Sequence, residues 1–223
     1  MFETAELPLL RVLGPTVAQV FADLHREHGV DLRLGTSVSA GDLRGADLVV
    51  AGVGVSPRLD LARSGGLAVD DGVLVDAALR TSVPSVLAVG DIASHAHPVL
   101  GRRIRVEHWD TAINQAKVAA HNLAGGDEVY DAMPYFFTDQ YDLGMEYVGH
   151  ASGDDEVVVH GDLAGREFRA FWTRGGRVVA AHQLRQVILG DVEAALHRLD
   201  GLDAAFAEVR TVEPAQGEEV SDA

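Results

Sequence analysis

The chain has 223 residues, 47% hydrophobic and 23% charged, a balance that suits soluble globular domains and bounds them to one large or two small units. Cysteine is absent, which excludes structural disulfides, thiolate metal sites and a redox-active dithiol within this chain. A formal net charge of −16 at pH 7 repels phosphate backbones and argues against nucleic acid. There is no apolar run of roughly 18 residues to span a membrane and no signal-peptide pattern at Met1-Phe2-Glu3, so a cytoplasmic location is expected.

In chain order, Pro15 to His28 reads as an amphipathic helix. Pro15 suits its first position, and Val17, Val20, Phe21 and Leu24 share one face. Gly29 stops it, and Val30 to Leu34 is predicted as a strand. Ala46 to Val55 is an apolar run bounded by Gly and Pro, the pattern of a strand buried on both faces. Gly65 to Asp76 suits a small strand pair, and Val83 to Gly90 reads as a further buried strand ending in Gly90-Asp91. A loop with His95, His97 and Pro98 follows, then an irregular basic stretch, Arg102 to Arg105. A helix is predicted from about Asp110 to Ala124, capped by Asp110 or Thr111 and stopped by Gly125-Gly126.

From Pro134 the pattern changes to short strands: Met145 to Gly149, Glu156 to His160, Glu167 to Trp172 and Arg177 to Ala181. Gly161-Asp162 and Arg174-Gly175-Gly176 are the predicted hairpin turns, and a helix from about Asp191 to Leu199 closes the region. Hairpins followed by a helix point to a small α+β domain, distinct from the α/β part before it. The acidic stretch from Glu213 to Asp222 has no aromatics and reads as a disordered tail.

The segment Thr81 to Asp91 carries the most chemistry. A buried strand ending in Gly-Asp sets a carboxylate at the carboxyl edge of a sheet, where open α/β folds bind ligands. Gly90 lets a ligand approach the backbone, and Asp91 can accept hydrogen bonds from polyol hydroxyls. On its own the dipeptide reads as a turn with a capping aspartate. Ten histidines form no pair at metal-ligand spacing on a convincing element, so no metal site is expected.

Three ordered motifs supply context. Thr81 to Asp91 resembles the second flavin-binding signature of the two-dinucleotide-domain flavoproteins, Arg105-Val106-Glu107-His108-Trp109 resembles their segment against the flavin ring, and Pro134 to Tyr141 resembles the start of the carboxyl-terminal domain of ferredoxin reductases. The resemblance covers the chain up to about Ala205. It implies an α/β fold, an incomplete two-dinucleotide-binding-domain flavoprotein followed by a small α+β reductase carboxyl-terminal domain. The implied division is residues 1–60 as a partial NAD-binding domain, 61–125 as the carboxyl-terminal part of the FAD-binding domain, 126–205 as the reductase carboxyl-terminal domain and 206–223 as tail.

The resemblance implies FAD and NAD as cofactors and electron passage from NADH through FAD to a ferredoxin of the 2Fe-2S kind. Carried over residue by residue, Asp91 meets the FAD ribityl chain, Trp109 contacts the flavin, and Glu107 and His108 flank it where nicotinamide stacks. Phe137 matches an aromatic position near the ring, Glu3 the acidic residue that accepts from the adenosine ribose of NAD, and Gly54 a glycine beside nicotinamide. Core packing is the alternative for Trp109 and Phe137, an exposed glutamate for Glu3 and a plain turn for Gly54. The flavin carries the chemistry, so no residue is assigned as catalytic. Arg102, Arg103 and Arg105 form a basic cluster that could steer an acidic ferredoxin or sit as incidental charges on a solvated loop.

The sequence departs from this pattern in lacking both Gly-x-Gly-x-x-Gly loops, whose backbone amides hold cofactor diphosphates. It is short between Ser37 and Ala46, and His182 to Gln186 replaces an Asn-rich stretch. The expected activity is therefore that of a reductase half, inactive alone, its complement supplied by a separate chain or an upstream segment. A non-catalytic, partner-binding remnant is the alternative.

Overall fold

The computed structural model describes residues 1–153 and 155–186. Helix α1, Leu10–Glu27, breaks at Gly14, whose φ of 68° and ψ of 173° are not helical, and its main run starts at Pro15. Proline fits there because a helix start leaves its N–H groups unpaired anyway. The predicted apolar face is present: Val17, Val20, Phe21 and Leu24 are buried, with Leu13 beside them.

The next stretches correct several expectations. Val30 to Leu34 forms no strand ladder but a single parallel bridge, Phe2 to Arg33, extended by the Glu3 and Thr36 amides donating to Arg33 O and Glu3 O at 3.0 Å each. The run 46–55 is not a buried strand. Leu48, Val50, Val53 and Val55 are 72 to 90% exposed. A parallel strand needs ladder partners at its edges and layers over its faces, and the described residues supply neither. Val83 to Gly90 turns at Pro84-Ser85, with Thr81 Oγ1 accepting from the Val83 amide at 3.1 Å. Only its end is extended, where Leu87, Ala88 and Val89 pack on a core of Val75, Leu79, Ala93 and Val118.

After the short helix α2, Asp60–Ser64, the predicted small pair appears as a Val69–Val73 bridge leading into β1, Val73–Val75. Strand β1 runs parallel to β2, Ala93–His97, which pairs antiparallel with β3, Arg102–Ile104. His95 and His97 are thus strand residues, both buried, and not loop residues. The basic stretch is correspondingly ordered as a strand. Polar side chains on the buried face of this hairpin hid the alternation by which strands are recognised. Helix α3, Trp109–Leu123, ends as predicted, with Gly125 left-handed at φ 99°.

The carboxyl-terminal region is a five-stranded antiparallel sheet in the order β4-β5-β8-β7-β6. Its strands are β4 Tyr135–Gln140, β5 Leu143–Gly149, β6 Glu156–Asp162, β7 Glu167–Arg174 and β8 Arg177–Gln186. The four predicted strands are all present, and β4 is one more. Gly175 and Gly176 form the predicted two-residue turn, both at positive φ. Gly161-Asp162 is not a turn but the end of β6, and the chain reverses at residues 163–166. A Cβ on Gly161 would lie 2.5 Å from Glu167 O, so this glycine serves close strand approach. The predicted helix at Asp191 to Leu199 and the acidic tail lie outside the described residues.

The largest core joins the two ends of the described chain. Leu13, Val17, Val20, Phe21 and Leu24 of α1 pack with Leu143, Met145, Tyr147, Phe168, Trp172 and Leu184 of the sheet. At the other end of the helix, His28 stacks on Tyr141 with ring centroids 3.7 Å apart, and Arg166 pairs with Glu27 at 2.6 Å. No helix of the described residues is long and apolar enough to cross a membrane.

Phe21→Ala opens a cavity in this shared core, and is expected to lower unfolding free energy by about 3–5 kcal/mol in urea denaturation. Burial also pushes the His182 pKa down to about 3 and, with neighbouring His97 adding to the effect, that of His95 down to about 4. Both folded values lie below the ordinary 6.5, so the unfolded chain takes up these protons first as pH falls. The stabilisation of the neutral rings is complete above pH 6.5 and is lost as pH falls toward 4 and below. Urea midpoints should therefore drop over that window, less steeply in His182→Leu.

Candidate functional site

The Gly-Asp turn is built by local geometry. Gly90 adopts φ 73°, a left-handed conformation, and starts a 3-10 turn over Gly90–Ile92. Its amide donates to Gln115 Oε1 of α3 at 2.8 Å, and a Cβ there would lie 3.3 Å from that of Ala112. The Asp91 carboxylate projects to solvent with no hydrogen-bond partner among the described residues. It is free to accept from a ligand.

Helix α3 begins beside this turn. Its cap is His108, whose Nδ1 accepts from the Asp110 amide at 3.3 Å, in place of the predicted Asp110 or Thr111. That bond requires Nδ1 to be unprotonated. Trp109 is 57% exposed at the first helical position. Phe137 on β4 is likewise exposed, beside Tyr135 with ring centroids 6.3 Å apart.

A cleft of about 720 Å³ brings three of the predicted residues together: Glu3, Gly54 and Glu107 line it, along with Arg11 and Arg105. Asp91, His108, Trp109 and Phe137 do not line it. Glu3 Oε1 accepts from the Ala5 amide at 2.9 Å. Gly54, at φ 86°, has nothing within 4 Å of a Cβ position, so a flat group could lie against its backbone. A second cleft of about 560 Å³ shares Arg11, Val12, Arg105 and Glu107 and continues over Phe136, Tyr147 and His150.

Two cations here escaped the sequence reading. Arg11 lines both clefts, is exposed and has no ion pair among the described residues. In the sequence, an arginine on an amphipathic helix gives no sign of facing a cleft. Arg102, Arg103 and Arg105, the basic cluster of the sequence, each engage partners within the chain, although Arg103 stays exposed. Arg102 donates to His150 Nδ1 at 2.7 Å and to His150 O, and Arg103 to Val75 O and Ser94 O. Arg105 pairs with Glu107 at 2.6 Å and with Asp71 at 3.0 Å. Among the described residues no group of three or more histidines and carboxylates could hold a metal ion.

The chain is a member of the pyridine nucleotide-disulphide oxidoreductases, whose family pattern matches residues 1–116, and a reductase carboxyl-terminal pattern matches residues 135–194. It is 35% identical to putidaredoxin reductase CamA of Pseudomonas putida over 205 residues, 84% of this chain and 49% of that one. It is 39% identical to the ferredoxin--NAD(+) reductase component of the anthranilate 1,2-dioxygenase system of Burkholderia cepacia, over 78% of this chain and 46% of that one. The crystal structure of a covalent putidaredoxin reductase–putidaredoxin complex matches with a TM-score of 0.76 and 36% identity, covering 82% of this chain and 48% of that one. The chain thus spans about half the length of the relatives it matches.

Gly90→Ala should destabilise the chain by about 1–2 kcal/mol, since an L side chain disfavours left-handed φ. The loss is expected as a lower midpoint in thermal unfolding, without change in the far-UV spectrum.

Proposed function

We propose that this chain is the carboxyl-terminal half of an FAD-dependent ferredoxin reductase, working with NADH as donor and a 2Fe-2S ferredoxin as acceptor. The observation that carries this reading is the single cleft in which Glu3, Gly54 and Glu107 meet. The residues fit the two cofactors. Glu3 offers a carboxylate to ribose hydroxyls, and Gly54 leaves its backbone open to a flat ring. The unpartnered Asp91 carboxylate suits ribityl hydroxyls, and the exposed Trp109 and Phe137 offer apolar surface to a flavin.

When bound, FAD supplies the step from two-electron hydride chemistry to single-electron delivery. The chain's own residues bind and orient. Helix α3 directs its positive amino end toward the Trp109 surface, which favours negative charge there. His108 holds that helix start, and Glu107 is paired with Arg105 at 2.6 Å. The proposed division is residues 1–60 with NAD, 61–125 with FAD and 126–205 as the reductase carboxyl-terminal domain, with residues 206–223 as tail.

The diphosphate-binding glycine loops are not in this sequence, so a complement must supply them for turnover. The exposed apolar run at 48–55 supports the second reading, a non-catalytic module that binds a partner.

Titration of the pure chain with FAD, followed by flavin fluorescence, should saturate, and Asp91→Ala should weaken it about tenfold by removing a charged acceptor. NADH-dependent reduction of ferricyanide by the chain alone is expected to be absent. Saturation equal in wild type and variant, or steady turnover by the chain alone, overturns the corresponding part of this reading.

A further inference from the structure

Two distant chain segments, at Asp71 and Asp91, and a near neighbour, Glu107, converge on one side chain. The guanidinium of Arg105 donates through Nη1 to Asp91 O at 3.0 Å and to Glu107 Oε1 at 2.6 Å, and through Nε to Asp71 Oδ2 at 3.0 Å. Its side chain is only 15% exposed, whereas its carboxylate partners Asp71 and Glu107 are far more open. The stem passes over Gly72, where a Cβ would lie 3.0 Å from Arg105 Cδ and 2.6 Å from Ile92 O. A residue with any side chain at 72 would displace either the stem or the turn beneath it. The glycine and the arginine form one fitted unit.

We infer that Arg105 is the positioning residue of the candidate flavin site: it sets the spacing between the Asp91 turn and the segment that carries Glu107, His108 and Trp109. The inference rests on the site reading above for its meaning, although the tie itself does not. The Gly90–Ile92 turn is held to α3 from one side by Gln115, and to the 105–108 segment from the other by Arg105. Without the guanidinium, the Asp91 carbonyl loses its donor and Glu107 loses its cation in the same step. A planar fork can serve three acceptors in fixed directions, and an ammonium at the end of a flexible stem serves them poorly. Arg105 touches no reacting atom in this scheme; it acts through Asp91 and Glu107.

The test compares wild type, Arg105→Gln, Arg105→Lys and Gly72→Ala as full chains, first by amide hydrogen exchange without any ligand. Reporters are peptides covering 88–94 and 106–113, which contain the Gly90, Asp110 and Ala112 amides, with β5 and β8 as internal reference. Arg105→Gln should speed exchange about tenfold or more in both peptides and leave the reference unchanged, as expected for losing hydrogen bonds to charged groups. Arg105→Lys should restore part of the protection. Gly72→Ala, which keeps the guanidinium but moves its stem, should reproduce the effect in milder form and serves if the glutamine variant does not fold. Unchanged exchange, or a change confined to one of the two peptides, overturns the inference.

FAD titration of the same set then separates this inference from the site reading. Weakening by both Asp91→Ala and Arg105→Gln, with partial rescue by lysine, supports both. Weakening by Asp91→Ala alone removes Arg105 from the site and leaves the reading intact. If wild type gives no saturation, the reading falls, and the exchange result still decides whether Arg105 ties the two segments.

Discussion

Burial of one face of α1 against the carboxyl-terminal sheet is the interaction that organises this chain. Val17, Val20, Phe21 and Leu24 face Met145, Tyr147, Phe168, Trp172 and Leu184, and several of these side chains are completely enclosed. Contacts of this kind are non-directional and scale with the apolar area removed from water. Direction comes from the polar contacts around them: the His28–Tyr141 stack, the Arg166–Glu27 pair and the His25–Tyr141 hydrogen bond. With the helix fixed at this end, the break at Gly14 aims its first turn elsewhere. That turn carries Arg11 and Val12 to the shared wall of both clefts.

A second, polar layer of organisation lies where the smaller sheet meets its neighbours. Arginines from and just after β3 reach three ways: Arg102 to His150 at the end of the large sheet, Arg103 to the backbone of β1 and β2, and Arg105 to the Asp91 turn. Each of these guanidinium groups donates to at least one backbone carbonyl, at part-buried sites for Arg102 and Arg103 and at an exposed one for Arg105. The basic stretch therefore holds segments together, in a chain whose net charge is strongly negative.

The exposed run at 48–55 is the counterpart of this order. Its composition is that of a strand interior, yet it has neither ladder partners nor covering layers among the described residues. The local core around Val75, Leu79 and Val118 is complete among the described residues, whereas this run has no packing layer there. The cleft containing Glu3 and Gly54 opens beside this run, so the candidate nucleotide site and the uncovered apolar surface adjoin each other.

The sequence by itself determined the features that depend on neighbouring residues: the apolar stripe of α1 from Pro15, the Gly-stopped α3, the Gly175-Gly176 turn and the strands of the second half. It also carried the family motifs at Thr81 to Asp91, Arg105 to Trp109 and Pro134 to Tyr141, because those are contiguous. Tertiary structure alone decided what depends on residues far apart in the chain. Whether the run at 46–55 is buried turns on partners elsewhere, and whether His95 faces a core turns on β1 and β3. That Glu3, Gly54 and Glu107 share one cleft follows from packing across more than a hundred residues. The roles of Arg11 and Arg105 belong to the same class, since a side chain's partners are set by the fold and leave no periodic trace in the sequence.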